Sequence, residues 1–167
     1  GWLVAPVRLS SLAAWAAGRQ EPHAPEADAT SGPVERPLEG LAVLLAEDDP
    51  VNAMIARTVL TRLGVAVTHV ETGQAAVEAA SGGGFDAALL DLRMPVLGGR
   101  EAAQAIRACP AGAGLPILAL TANATEADRT ACLEAGMDDF LTKPLDPAAL
   151  TERLIALCAP QKRANVG

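Results

Sequence analysis

The sequence predicts an α/β domain in which a doubly wound, five-stranded parallel sheet carries five helices. After residue 38, short apolar runs alternate five times with helical patterns. Half of the residues are hydrophobic, yet the chain has only two Trp, two Phe and no Tyr, so its core must be aliphatic. Short aliphatic runs are typical of parallel strands that are buried on both faces of a sheet.

The first half of the domain contains three predicted strands and two predicted helices. An apolar run at 41–46 forms the first strand and stops at an acidic tripeptide. A helix at 51–63 follows, with Ile55, Val59 and Leu63 spaced along one apolar face. Proline is tolerated at the start of a helix, where Pro50 stands. The next elements are a strand at 65–70, a short helix at 74–80 before three glycines, and a strand at 86–91.

The second half repeats the alternation of helix and strand. A helix at 99–107 leads to an apolar strand at 116–121, which ends in a polar residue. Thr125 is suited to cap the fourth helix, because its hydroxyl can accept from a free backbone N–H. The remaining elements are a helix at 126–135, a short strand at 139–142 and a last helix at 147–158.

Polar residues stand at the carboxyl ends of four predicted strands. In doubly wound sheets, chemistry gathers in the crevice beyond these ends. The residues found there are Glu47, Asp48 and Asp49 after the first strand, Asp91 at the end of the third, Thr121 at the end of the fourth, and Lys143 after the fifth. Taken singly, each has a simpler interpretation as a helix cap or a turn residue. Their coincidence at one edge favours a single site.

These residue types suit phosphoryl chemistry. Crowded carboxylates repel one another unless a cation lies among them, and hard oxygen ligands favour Mg²⁺. A carboxylate such as Asp91 can attack phosphorus and form an aspartyl phosphate. The Thr121 hydroxyl and the Lys143 ammonium could contact the phosphoryl oxygens.

Four segments resemble the receiver domains of two-component signalling proteins, over about residues 39 to 159. The segments are LLAEDDPVN at 44–52, LLDLRMP at 89–95, ALTA at 119–122 and FLTKP at 140–144. The spacing between them agrees with the family as well. The resemblance implies a flavodoxin-like fold with strand order 2-1-3-4-5.

The resemblance also implies a role for each site residue. Asp91 is the expected phosphoacceptor, with Thr121 and Lys143 assisting. Thr121 and Phe140 are the expected switch residues, and the Lys143–Pro144 bond is expected to be cis. The expected Mg²⁺ ligands are Glu47 through water, Asp48, Asp91 and the backbone carbonyl of Arg93.

Two positions depart from the family pattern. Asp49 stands where Asn is commoner, which adds negative charge near the expected metal. Gly98 replaces a frequent Asp, which would weaken the cap of the third helix.

The amino-acid sequences of residues 120–124 and 132–144 resemble the corresponding segments of receivers attached to hybrid sensor histidine kinases. This predicts a parent chain that is a sensor histidine kinase, although the present sequence contains no kinase catalytic region. The expected partners are the dimerisation and phosphotransfer region of that kinase and a histidine phosphotransfer protein. We expect a cytoplasmic domain, whose parent kinase is a candidate for an inner-membrane anchor.

Composition argues against several other roles. The net charge is −7 and no basic run occurs, so nucleic acid is not an expected partner. Cys109, Cys132 and Cys158 are far apart in sequence, which favours reduced packing residues over a metal–thiolate site. No apolar run reaches the length of a membrane span, and no direct membrane contact is expected.

The N-terminal region has a different composition. Residues 18–38, rich in Pro, Ala and charge, predict a flexible linker before the receiver at 39–159 and a tail at 160–167. Residues 1–12 can be laid over 139–150, so residues 1–17 are interpreted as the end of an upstream, degenerate receiver-like domain. An unrelated amphipathic helix or an appended vector sequence is the alternative.

Two other function classes stay open at this stage. A haloacid dehalogenase-like phosphatase also uses a strand-end Asp, but it needs a second Asp two positions later, where Arg93 stands. A pseudo-receiver that docks partners without phosphorylation would have lost one of the key residues, and none is lost.

Overall fold

The computed structural model describes residues 38–123 and 125–164, which fall within one compact unit, Glu35–Gly167. The predicted upstream remnant at 1–17, nearly all of the predicted linker and residues 165–167 lie outside the described residues. Within the described part of the chain, no helix combines the length and the apolar character that a bilayer span requires.

Five strands and five helices alternate along the described chain. The strands are β1 (Ala42–Ala46), β2 (Ala66–Val70), β3 (Ala87–Asp91), β4 (Ile117–Thr121) and β5 (Asp139–Thr142). The helices are α1 (Pro50–Arg62), α2 (Gly73–Ser81), α3 (Gly99–Ala108), α4 (Glu126–Glu134) and α5 (Pro147–Ala164). Every predicted strand and helix is present, and most of the observed ends lie within one or two residues of the predicted ends.

The strands form one parallel sheet in the order β2-β1-β3-β4-β5. This confirms the predicted fold class and strand order. All five strands therefore end at the same edge of the sheet, because parallel strands share one direction.

Two aliphatic clusters cover the two faces of the sheet. On the α1/α5 face, the inward residues of the strands pack against Ala56 and Leu60 of α1 and Leu150 and Leu154 of α5. The α2–α4 face packs the alternate strand residues against α2, α3 and α4, among them Ile106. Strands β3 and β4 are buried throughout, which explains their continuous apolar sequence.

The predicted apolar face of α1 was wrong in part. Helix α1 buries Ala53, Ala56 and Leu60, whereas Ile55 is 41% exposed. Val59 and Leu63 pack only partly against the core. The small alanine side chains let the helix lie close to the sheet, so the larger β-branched residue turns toward solvent.

The domain extends slightly beyond its predicted limits. Leu38, assigned to the linker, is buried in the core of the α1/α5 face, and its backbone N–H donates to the Leu63 carbonyl. Helix α5 continues to Ala164, through part of the predicted tail.

Candidate functional site

Side-chain alternation along the strands decides which polar residues meet. Consecutive strand residues point to opposite faces, so residues two apart share a face. The residues two positions before Glu47, Asp91 and Lys143 all pack on the α1/α5 face; they are Leu45, Leu89 and Leu141. Ala119, two positions before Thr121, packs on the other face. The three charged side chains therefore converge, and Thr121 stands apart from them.

Lys143 joins two buried carboxylates at the centre of the site. Its Nζ lies 2.5 Å from Glu47 Oε2 and 2.7 Å from Asp91 Oδ2. Glu47 is 1% exposed and Asp91 7% exposed. A buried charge of this kind persists only when it is paired and hydrogen-bonded. The lysine ammonium thus neutralises part of the negative charge that two adjacent acids would otherwise carry.

A third carboxylate completes a potential cation site. Carboxylate oxygens of Glu47, Asp48 and Asp91 all lie within 4.8 Å of one another. Asp48 is exposed, whereas the other two side chains are buried. An all-oxygen set with one side open to water fits Mg²⁺, which keeps several waters and uses few protein ligands. These carboxylate ligands are therefore of the kind that the sequence predicted for a magnesium site.

Glu47 and Lys143 each influence the pKa of the other. Burial raises the pKa of Glu47 above its usual 4.5, and the negative charge of Asp91 adds to this, while the hydrogen bond from Lys143 opposes it. Burial acts to lower the pKa of Lys143, but its hydrogen bonds to Asp91 and Glu47 outweigh burial and raise it. Lys143 is therefore a fixed positive charge at neutral pH.

The backbone after Asp91 is held by a close approach of α3. A Cβ at Gly99 would lie 2.2 Å from the Asp91 carbonyl oxygen, so only glycine fits there. The Gly99 N–H donates to the Leu92 carbonyl, and the Arg93 N–H donates to Asp91 Oδ1 at 3.1 Å. These contacts fix the Asp91 carboxylate between Lys143 and the loop that follows the strand.

Thr121 does not contact the acidic cluster. Its hydroxyl donates to the Asn123 carbonyl at 2.7 Å and accepts from the Asn123 N–H at 3.2 Å. The Thr121 backbone still borders the site, because its carbonyl accepts from the Lys143 N–H. The predicted contact of this hydroxyl with a phosphoryl group requires a rotation away from Asn123.

The two departures from the family pattern have structural consequences. Asp49 caps α1, accepting from the N–H groups of Val51 and Asn52. Gly98 is the N-cap residue of α3 and provides no side-chain cap, as the sequence predicted. The Lys143–Pro144 peptide bond is cis, which confirms that expectation.

Two residues that contact Glu47 were not predicted from the sequence. Asn52 Nδ2 donates to Glu47 Oε1 at 3.3 Å, and His69 Nε2 lies 2.9 Å from the Glu47 carbonyl oxygen. Asn52 lies in the first turn of α1, one turn after the acidic tripeptide, and this spacing could have suggested the contact. His69 comes from the neighbouring strand, so only the pairing of β1 with β2 reveals it.

Comparison with known proteins gives a consistent result. A family model described as the response regulator receiver domain matches residues 43–155. Sensor protein GacS of Pseudomonas syringae pv. syringae is 42% identical over 113 residues, which cover 66% of this chain and 12% of GacS. The chain thus spans a small part of the length of such curated relatives.

Solved receiver domains have the same fold. The receiver domain of sensor histidine kinase PA1611 from Pseudomonas aeruginosa PAO1 has a TM-score of 0.68 and 45% identity, covering 72% of this chain and 98% of that one. A magnesium ion is coordinated in its active site cleft. The receiver domain of Saccharomyces cerevisiae Ssk1, crystallised with the histidine phosphotransfer protein Ypd1, has a TM-score of 0.69 and 30% identity, covering 74% and 92%.

Proposed function

We propose that this chain, which belongs to the response regulator receiver domain family, accepts a phosphoryl group on the Asp91 side chain. It is a receiver domain of a two-component phosphorelay. The finer assignment to Asp91 is supported by one observation above all. Asp91 and Glu47 both contact Lys143 and border the open cavity that Asp48 and Arg93 also line, but the Asp91 side chain is 10% exposed and that of Glu47 only 1%.

In the proposed transfer, the Asp91 carboxylate is the nucleophile. One oxygen forms a new bond to phosphorus while the bond from phosphorus to the donor's imidazole nitrogen breaks. The departing nitrogen keeps the bonding electron pair, and the imidazole leaves neutral because its other nitrogen carries a proton. Lys143 remains beside the transferred group and offsets the negative charge of its oxygens.

Asp48 and Asp91 would hold Mg²⁺, and Glu47 would act through water, with the Arg93 carbonyl as the further ligand that the resemblance implies. A bound Mg²⁺ supplies charge neutralisation for an incoming phosphoryl group. Asn52 orients the Glu47 carboxylate toward this position, while Asp49 is used by the cap of α1.

Thr121 and Phe140 are the proposed switch residues. After phosphorylation, the Thr121 hydroxyl would leave the Asn123 carbonyl and donate to a phosphoryl oxygen instead. The two side chains share the α2–α4 face of neighbouring strands, so rotation of Thr121 changes the space around Phe140.

The donor and the next acceptor are proposed to be histidine side chains of other modules. We assign the chain to a hybrid sensor histidine kinase, whose dimerisation and phosphotransfer region donates the group, and to a histidine phosphotransfer protein as acceptor. The relatives GacS and PA1611, which are sensor kinases, support this context, as does the pairing of Ssk1 with Ypd1. Such a module works in the cytoplasm.

Phosphoramidate tests the proposal, because it is a small donor with the same phosphorus–nitrogen bond as phosphohistidine. We expect the intact mass to rise by one phosphoryl group in Mg²⁺ and not in EDTA. Labelling that is equal in both buffers would contradict the proposed site. Continuous hydrolysis of p-nitrophenyl phosphate would instead favour a phosphatase.

A further inference from the structure

The Arg129 guanidinium lies over the aromatic ring of Phe140, 5.8 Å from the ring centroid. Arg129 is an exposed residue of α4, and Phe140 is a half-buried residue of β5. A cation at this distance is attracted by the negative face of the ring. The contact therefore ties an exposed helix to a residue beside the functional site.

Arg129 contacts the aromatic ring rather than a carboxylate. In the described residues, acidic groups pair with Lys143, Arg107 and Arg153, and no salt bridge involves Arg129. An arginine that is not held by a carboxylate can place its planar guanidinium on an aromatic face, which a lysine ammonium does less well.

The neighbours of the ring on β4 are a small side chain and a hydroxyl side chain. Phe140 stands opposite Ala119 in the sheet register, so its direct partner on β4 carries only a methyl group. Thr121, two positions further along β4, lies on the same face and keeps its hydroxyl on Asn123. Rotation of Thr121 would therefore change the surroundings of the ring.

Helix α4 itself is lightly anchored. Cys132 is its buried residue in the described structure, and Arg129 precedes it by one helical turn. An element with few buried side chains shifts at low cost, so a surface contact can contribute to its position.

We propose that Arg129 is a positioning residue that holds the Phe140 ring in its resting rotamer. This inference rests on the proposed phosphorylation of Asp91. In the resting protein, the guanidinium stabilises the ring position seen here. When Thr121 turns toward the phosphoryl group, the ring leaves Arg129, and α4 is released from β5 at this point. Removing the contact should shift the ratio of the two ring positions about two- to fivefold.

Fluorine NMR can follow the ring directly. The chain has two phenylalanines, Phe85 and Phe140, so labelling with 4-fluorophenylalanine gives two signals, and Phe85→Leu assigns them. We compare the wild type with Arg129→Gln, Arg129→Lys and the matched control Arg57→Gln, an exposed arginine of α1. Each is measured before and after treatment with acetyl phosphate and Mg²⁺.

In the resting protein, Arg129→Gln should move the Phe140 signal toward its phosphorylated position, and Arg129→Lys should move it less. In the phosphorylated protein, Arg129→Gln and the wild type should give the same Phe140 signal, because the ring no longer contacts residue 129. The Phe85 signal and the Arg57→Gln spectrum should match the wild type throughout.

A Phe140 signal that is unchanged in resting Arg129→Gln would overturn the inference, as would a shift that persists equally after phosphorylation. A wild type that gains a phosphoryl group while its Phe140 signal stays fixed would also overturn it. If the intact mass instead shows no phosphorylation at all, the proposed function fails. The two failures are therefore distinguishable.

Discussion

Lys143 sets the electrostatic state of the site, because its ammonium contacts two buried carboxylates at once. Burial raises the pKa of Glu47 despite the hydrogen bond from Lys143, and so disfavours its charged form. Without the Glu47 charge, Lys143 would still pair with Asp91. The Glu47 charge is therefore a cost to stability that the site retains for binding a cation.

We predict that Glu47→Gln stabilises the protein in Mg²⁺-free buffer at pH 7. A buried charge is removed while Lys143 keeps its contact with Asp91, so the free energy of unfolding should rise by about 1 kcal/mol. Thermal unfolding should show an increase in Tm of about 4 °C. Exposed Glu152→Gln serves as the control.

The stabilisation should depend on pH in a defined direction. An acid whose pKa is raised in the folded state binds its proton more tightly when folded, so its charge costs stability above that pKa. The advantage of Glu47→Gln should be absent below the usual Glu pKa of 4.5 and should grow as the pH rises from there through the raised pKa of the folded state. An advantage that grows as the pH falls would contradict the assigned pKa direction.

Sequence motifs identified the residues of the site but not their orientation. Glu47, Asp91 and Lys143 meet because each lies two positions after a residue of the α1/α5 face. The position of Thr121 at a strand end suggested that its hydroxyl would join them, whereas it bonds to Asn123. A rotamer depends on local hydrogen bonds that a motif does not encode.

At the level of elements, the N-terminus of α3 supports the end of β3 through Gly99. The helix can approach Asp91 only because residue 99 has no side chain. Glycine at position 99 thus has a steric cause, beyond any role in turns.

We predict that Gly99→Ala destabilises the domain by about 1–3 kcal/mol, because its Cβ would collide with the Asp91 backbone. Urea unfolding measures the change. Gly114→Ala is the matched control, since a Cβ there meets no atom within 4 Å. Equal stability of the two variants would show that α3 is not fixed against Asp91.

Helix α1 shows where the sequence pattern was insufficient. Its large apolar residues suggested one face, but the helix packs through alanines and leaves Ile55 exposed. Hydrophobic periodicity weights large residues most, whereas close packing against a sheet favours small ones. Sequence alone could not decide between these faces.

At the scale of the whole molecule, the alternation of strand and helix was sufficient to predict the fold. Each strand of the centre is continuously apolar because helices cover both faces of the sheet. The parallel direction then brings all five strand ends to one edge, and the carboxylates that could share a cation stand there at the ends of β1 and β3. The strand order came from the family resemblance, because periodicity does not specify it.

Binding of Mg²⁺ should stabilise the whole domain by mass action. At a concentration about 100 times the Kd, the free energy of unfolding should rise by about 2.7 kcal/mol. We predict that the Tm increases with Mg²⁺ concentration in the wild type and hardly at all in Asp48→Asn. KCl at equal ionic strength is the control, and an equal increase in KCl would indicate screening alone.

The central claim is that Asp91 is the side chain that accepts the phosphoryl group, and intact mass spectrometry after treatment with acetyl phosphate and Mg²⁺ tests it most directly. The wild type should gain one phosphoryl mass, and Asp91→Asn should gain none. The control variant Asp86→Asn, which changes the residue just before β3, should gain one phosphoryl mass like the wild type. A phosphoryl mass on Asp91→Asn equal to that on the wild type would contradict the assignment.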